Sequence, residues 1–254
     1  MVTEKIIHNF LKNLGIKSSD TVLIHTSMRA IGEVEGGCDG LIDAFKLFLK
    51  DGLLVIPTHT WANVNAENPT FDVRSTIPCI GALPTVAAFR KDGVRSLHPT
   101  HSVAVFGERA NAFVKGEENA LTPCPIGGVW SRLYDENAKI LLLGVNLNSN
   151  TYMHAVDERY NVTKRYNKPV YLADPIELTV IDYNGNKTIR QFKKHGWNGS
   201  REFEVYTNAF EQAGILTYSR LGNAKVFVMN AKESTPIMAD IFKKYEEQYE
   251  NPPV

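Results

Sequence analysis

Cysteine is scarce in this chain. Its 254 residues hold three, Cys38, Cys79 and Cys124, and no two are closely spaced. An odd, scattered set speaks against a disulfide framework or a zinc ribbon, and a reducing cytoplasm is the expected home. Net charge is missing too: 28 Lys plus Arg balance 28 Asp plus Glu. A broad basic face for nucleic acid or an anionic membrane is therefore not expected. No apolar run approaches the roughly 20 residues needed to cross a bilayer. The first turns carry Glu4, Lys5, His8 and Lys12, so no secretory signal is expected. GxGxxG, P-loop and HExxH patterns are all absent, as are repeats and low-complexity linkers.

What is present is an ordinary globular composition, 43% hydrophobic, with alternating strand and helix signals. Residues 4–14 place Ile6, Ile7, Phe10, Leu11 and Leu14 at helical spacing, ending at Gly15. Buried strands are expected at Asp20 to His25, Leu53 to Pro57, His101 to Phe106 and Ile140 to Val145. Helices are expected from about Asp39 to Lys50, over Gly81 to Arg90, Ala110 to Lys115 and from Trp130 to about Asn137, then near His154. Asn63 to Pro78 reads as a long irregular stretch, and Thr122 to Trp130 as a Pro/Gly-rich loop. Past Lys164 the character turns to strand: Pro169 to Leu172, Ile176 to Tyr183 and Lys187 to Phe192. The last two are joined by Asn184-Gly185-Asn186, a hairpin signal. Tyr206 to Ala213 reads as a helix, Gly214 to Leu221 with Lys225 to Met229 as a strand pair, and Ser234 to Tyr249 as an amphipathic helix. One domain over 1–254 is expected, an α/β body to about residue 165 with a β-rich portion, 166–254, packed on it.

The stretch Ile140 to Arg159 is organised for chemistry. A buried strand ends near Gly144, a loop rich in Asn and Ser follows, and His154, Asp157 and Glu158 then fall within about one helical turn. A histidine with acids at that spacing suits a general base, and it equally suits a plain helix N-terminus favoured by the dipole. The Gly- and hydroxyl-bearing turn from Thr26 to Gly37 opens into a helix. Such a turn can seat phosphate on free N–H groups, although its spacing alone is that of any tight turn. His98 and His101 are three apart with no further ligand pattern nearby, so hydrogen bonds that shape a pocket are expected there before a metal site.

Several stretches together resemble one family. They are His25-Thr-Ser-Met-Arg-Ala-Ile-Gly with Val34-Glu-Gly-Gly, Leu53-Leu-Val-Ile-Pro-Thr, Phe71-Asp72, Arg95-Ser-Leu-His-Pro-Thr-His-Ser, and Leu142-Leu-Gly with Asn150-Thr-Tyr-Met-His-Ala-Val-Asp. In order and spacing they resemble the aminoglycoside 3-N-acetyltransferases. The resemblance implies a three-layer α/β/α-like body with a central mixed sheet, distinct from the GNAT acetyltransferases. It implies acetyl-CoA (coenzyme A) as donor, no metal, and transfer to the 3-amino group of a 2-deoxystreptamine aminoglycoside. His154 matches the family's catalytic histidine, and Asp157 stands where the family has Glu, with Glu158 beside it. Ser27, Met28, Arg29, Ile31, Gly32, Gly36 and Gly37 resemble the coenzyme cradle. His101, Ser102 and Val103 resemble the strand along the pantetheine arm. For a polycationic acceptor, Glu67, Asp72, Asp157 and Glu158 are candidate acids, and Trp61 a stacking platform.

Other readings differ in acceptor or in class. One keeps coenzyme A but acylates an amino sugar, an amino-nucleotide or another metabolite amine. A metal-dependent hydrolase would use His59, His98, His101 and His154. A non-catalytic coenzyme A or amino-sugar binder would bind without turnover. A small-molecule amine is the expected partner, with neither nucleic acid nor membrane, and monomer and homodimer are both compatible.

Overall fold

The computed structural model describes residues 1–160, 164–165, 168–169, 174–195 and 199–250. Helix α1 (Glu4–Asn13) starts on Thr3, whose side chain accepts the Ile6 N–H, and buries Ile7, Phe10 and Leu11. Strand β1 (Thr21–Thr26), short helix α2 (Met28–Ile31), helix α3 (Gly37–Phe48) and strand β2 (Leu53–Pro57) follow. Next come β3 (Thr70–Asp72), α4 (Ala82–Phe89), β4 (Val94–Arg95), β5 (Val103–Phe106), α5 (Ala110–Val114) and α6 (Val129–Asp135). Then β6 (Lys139–Leu143) leads through a single 3₁₀ turn to α7 (Tyr152–Tyr160). Beyond lie β7 (Lys164–Arg165), β8 (Lys168–Pro169), β9 (Ile176–Ile181), β10 (Lys187–Phe192), α8 (Thr207–Gln212), β11 (Thr217–Leu221), β12 (Ala224–Asn230) and α9 (Ala231–Glu250).

Seven strands form one mixed sheet in the order β11-β12-β6-β1-β2-β5-β4. β1 runs parallel to β2 and β6, while β5 and β12 are antiparallel to their neighbours β2 and β6. Period-two alternation sends successive side chains to opposite faces. Val22, Ile24, Leu54 and Ile56 pack with Phe10, Leu41, Phe45 and Leu83 of α1, α3 and α4. Leu23, Val55, Ile140 and Leu142 face Trp130, Leu133, Met153, Val156 and Phe242 of α6, α7 and α9. The result is the expected α/β/α arrangement with a core on each side of the sheet.

One expectation is refined and one corrected. Part of the β-rich C-terminal portion extends the main sheet itself, for β12 pairs along the whole of β6, from Val226 against Leu143 to Asn230 against Lys139. Without it β6 would be an open edge of unpaired backbone groups. The supposedly irregular 63–78 stretch supplies β3, which pairs in parallel with β9 and joins β10 in a satellite sheet around Phe71, Val73, Leu178, Val180 and Phe192. The hairpin through 184–186 is present. The strand expected at Pro169 to Leu172 has only Pro169 among the described residues. No helix among the described residues is long and apolar enough to cross a membrane.

Arg95 ties the satellite to the body. It is 2% exposed, and burial lowers its guanidinium to about 10. It donates to the Thr76 and Thr58 carbonyls at 2.7 and 3.2 Å, lies 5.0 Å from the Phe71 ring, and its N–H bonds the Tyr183 hydroxyl at 2.7 Å. At the end of β6, Gly144 takes φ 72°, and an added Cβ would stand 2.4 Å from that of Ala30. Only glycine lets α2 close over this strand end.

Glu117 is buried below α6. One carboxylate oxygen accepts the Val129 N–H at 2.6 Å and the other has no hydrogen-bond partner. Burial raises its carboxyl from 4.5 to about 7. The folded chain therefore holds a proton that the unfolded chain has lost between those values. Stability should fall as pH rises through that window. Glu117→Gln is expected to be more stable than wild type by about 3 kcal/mol above pH 7, and little changed near pH 4.5. Denaturant melts at both pH values check this, and an equal shift at both would contradict it.

Candidate active site

The carboxyl ends of β1, β2 and β6 open on one side of the sheet, around a cavity of about 530 Å³. Ligands of open α/β sheets lodge at such ends, where the chain leaves neighbouring strands in opposite directions. The wall is rich in imidazole. His25 lies one residue before the end of β1, His59 and Trp61 follow β2, His101 precedes β5, His154 rides on α7, and Lys194 and His195 follow β10.

Trp130 backs the wall from the core, behind His25 and His59. It is fully buried, stacks on His25 with ring centres 6.2 Å apart, and lies 5.4 Å from His59. Its indole N–H donates to the His101 carbonyl at 2.9 Å. His59 Nε2 meets Thr151 Oγ1 at 2.9 Å, and His101 Nδ1 meets Thr100 Oγ1 at 2.9 Å. Burial lowers His25 to about 3 and holds His59 and His101 well below the usual histidine range. These three rings are neutral at pH 7. His25 Nε2, Thr26 Oγ1 and His59 Nδ1 are buried without a hydrogen-bond partner, at residues that line the cavity. Buried polar atoms of this kind call for a ligand or water.

The α7 residues divide their work. His154 Nδ1 lies 3.4 Å from Asp157 Oδ2, across the helix-face spacing anticipated, and Asp157 is 2% exposed. Glu158 does not serve His154. It accepts from Thr122 Oγ1 at 2.6 Å, the Cys124 N–H at 2.8 Å and His195 Nε2 at 2.9 Å. That carboxylate clamps the Pro/Gly-rich loop and orients a second imidazole, whose ring centre is 4.7 Å from that of His154.

The other anticipated residues are placed as follows. His101, His154 and Trp61 line the cavity. Ser102 and Val103 are buried, with Ser102 bonded to Thr58 and Arg95. Ser27 caps α2, Met28 is half-buried, Ile31 is a core side chain, and Arg29, Gly36 and Gly37 are exposed. Gly32, Gly36 and Gly37 all take positive φ in the turn that follows the cavity residues His25 and Thr26. Glu67 and Asp72 lie off the cavity wall, and Asp72 is bound by the Arg74 guanidinium at 2.7 and 2.9 Å. His98 is occupied at both nitrogens. Nδ1 accepts the Thr100 and His101 N–H groups, and Nε2 donates to the Thr122 carbonyl at 2.9 Å. Among the described residues no group of three or more His, Cys, Asp or Glu could hold a metal ion. Sequence reasoning overlooked Trp130, Lys194 and His195. His195 stands in Lys193-Lys194-His195-Gly196 with no periodic or motif signal, and only the chain's return across the cavity gives it meaning.

A mixed sheet flanked by helices, with an imidazole-lined cavity at its carboxyl edge, defines an α/β/α protein with a ligand-sized cavity at its strand ends. The pattern of the aminoglycoside 3-N-acetyltransferases matches residues 23–243, and the chain belongs to that family of acetyltransferases. It is 28% identical over 261 residues to aminoglycoside N(3)-acetyltransferase IX of Micromonospora chalcea, covering 91% of this chain and 89% of that one. It is 25% identical to the SPbeta prophage-derived aminoglycoside N(3')-acetyltransferase-like protein YokD of Bacillus subtilis (strain 168), with the same coverage. The fold is shared with the AAC-IIIb binary with CoASH at a TM-score of 0.80, 18% identity, and 99% and 98% coverage of the two chains. It is likewise shared with aminoglycoside acetyltransferase AAC(3)-IVa in complex with a gentamicin, at a TM-score of 0.80 and 20% identity, covering 96% of this chain and 89% of that one.

Proposed function

We propose that the protein transfers acetyl from acetyl-CoA to a primary amine, with His154 as general base. The observation that carries this reading is the His154–Asp157 pair, an imidazole on the cavity wall backed by a buried carboxylate. A primary amine is mostly protonated at neutral pH and attacks nothing until it sheds a proton. With Nδ1 turned to Asp157, Nε2 of His154 takes that proton, directly or through water. Asp157 orients the ring and stabilises the imidazolium that forms. The amine nitrogen then bonds the thioester carbon, the C–S bond breaks, and the proton the nitrogen still sheds to become an amide is taken up by the departing thiolate, which leaves as the thiol.

The Ser27 to Gly37 turn fits the coenzyme by chemistry. Its positive-φ glycines hold exposed backbone without a Cβ to block close approach, and a coenzyme A complex exists in a protein of the same fold. The relatives' names make the 3-amino group of a 2-deoxystreptamine aminoglycoside the first acceptor to assay. A non-antibiotic amine is the second reading, and the absence of any carboxylate on the cavity wall among the described residues favours it. Calorimetric titration with acetyl-CoA, followed by thiol-release assays on gentamicin and simpler amines, tests the proposal. Neither coenzyme binding nor thiol release on any amine would overturn it.

A further inference from the structure

The cavity's electrostatics say more about the acceptor than the family does. Among the described residues its titratable wall consists of His25, His59, His101, His154, His195 and Lys194, with no Asp or Glu. The carboxylates near it are committed elsewhere: Asp157 to His154, and Glu158 to His195, Thr122 and Cys124. Glu67 and Asp72, the acids that a polycation would need, lie off the wall. A molecule with several ammonium groups would lose water here without gaining a counter-charge.

Lys194 points the other way. It makes no ion pair among the described residues, and it stands on the wall beside His195. The described segment that leads to it is one-signed. From Lys187 to His195 there are Lys187, Arg190, Lys193 and Lys194 and no acid. The unpartnered His25 Nε2, Thr26 Oγ1 and His59 Nδ1 add polar contacts suited to hydroxyl or acid oxygens.

We propose that the acceptor is a small amine bearing an acid group, carboxylate or phosphate, which Lys194 holds while the amine faces His154. This rests on the acetyltransferase reading above. It places the base and the anion clamp on different elements, α7 and the segment after β10, so that one end of the molecule fixes the other.

The test uses the full chain saturated with acetyl-CoA. Glucosamine, glucosamine 6-phosphate, muramic acid and gentamicin are compared by calorimetry and by thiol release, with wild type, Lys194→Ala and Lys194→Glu. Muramic acid or glucosamine 6-phosphate should bind at least about tenfold tighter than glucosamine in wild type. That preference should vanish in Lys194→Ala and reverse in Lys194→Glu, with the KM for acetyl-CoA unchanged. Preference for gentamicin, failure of both acidic sugars to bind, or a Lys194 effect confined to the acetyl-CoA KM would overturn the inference. Each leaves the N-acetyltransferase reading standing wherever acetyl-CoA still binds. Loss of coenzyme binding in wild type would instead remove the reading on which the inference rests.

Discussion

Replacing His154 by Ala should lower kcat for acetyl transfer by roughly 10²–10⁴-fold at neutral pH, the usual contribution of a positioned base. The side chain sits at the cavity wall, half-buried rather than in the core, so its removal should leave the fold intact. Acetyl-CoA affinity by calorimetry should change little, because the ring is assigned to the amine and not to the coenzyme. The defect should shrink as pH rises, since hydroxide and free amine increasingly do without the base. A rate near wild type at neutral pH would take His154 out of the mechanism. A defect that stays constant with pH would assign it to positioning rather than proton transfer.

Trp130→Ala should destabilise the protein by about 3–5 kcal/mol, as expected for emptying the largest fully buried side chain among the described residues. It should also disable the site, because the indole supports His25 and His59 and fixes the His101 carbonyl. Trp130→Phe separates the two effects. It keeps much of the ring contact but strands that carbonyl, and should cost only about 1–3 kcal/mol. Chemical denaturation measures both variants. Loss of less than about 1 kcal/mol in the alanine variant would mean that the core behind the imidazole wall collapses without harm.

Period and turn chemistry carried most of the fold into the sequence. The β1, β2 and β6 strands, the hairpin through 184–186 and the helical face of α1 are all local patterns. The pairings that are not local were hidden. β3 has three residues and finds its partner in β9 more than a hundred positions later, and β12 reaches back to β6. The site divides the same way. His154 and Asp157 share one helical turn, so their meeting was readable. The contact between Glu158 and His195 spans 37 positions, and the stacking of His25 on Trp130 depends on how α6 crosses the sheet. Glu67 and Asp72 were chosen because a polycation was expected, not because any pattern aimed them inward.

The satellite sheet carries a consequence of its own. Its last strand, β10, hands the chain directly to Lys194 and His195, whereas His154 and Asp157 belong to a helix packed on the main sheet. The two cores are separate, joined by the Arg95 guanidinium, by Arg190 on the Glu118 carbonyl and by the Glu158–His195 contact. On the proposed roles of His154 and Lys194, chemistry and choice of customer are mounted on different chassis. Drift in the smaller one would then retarget the enzyme while the machinery that moves the acyl group stays as it was.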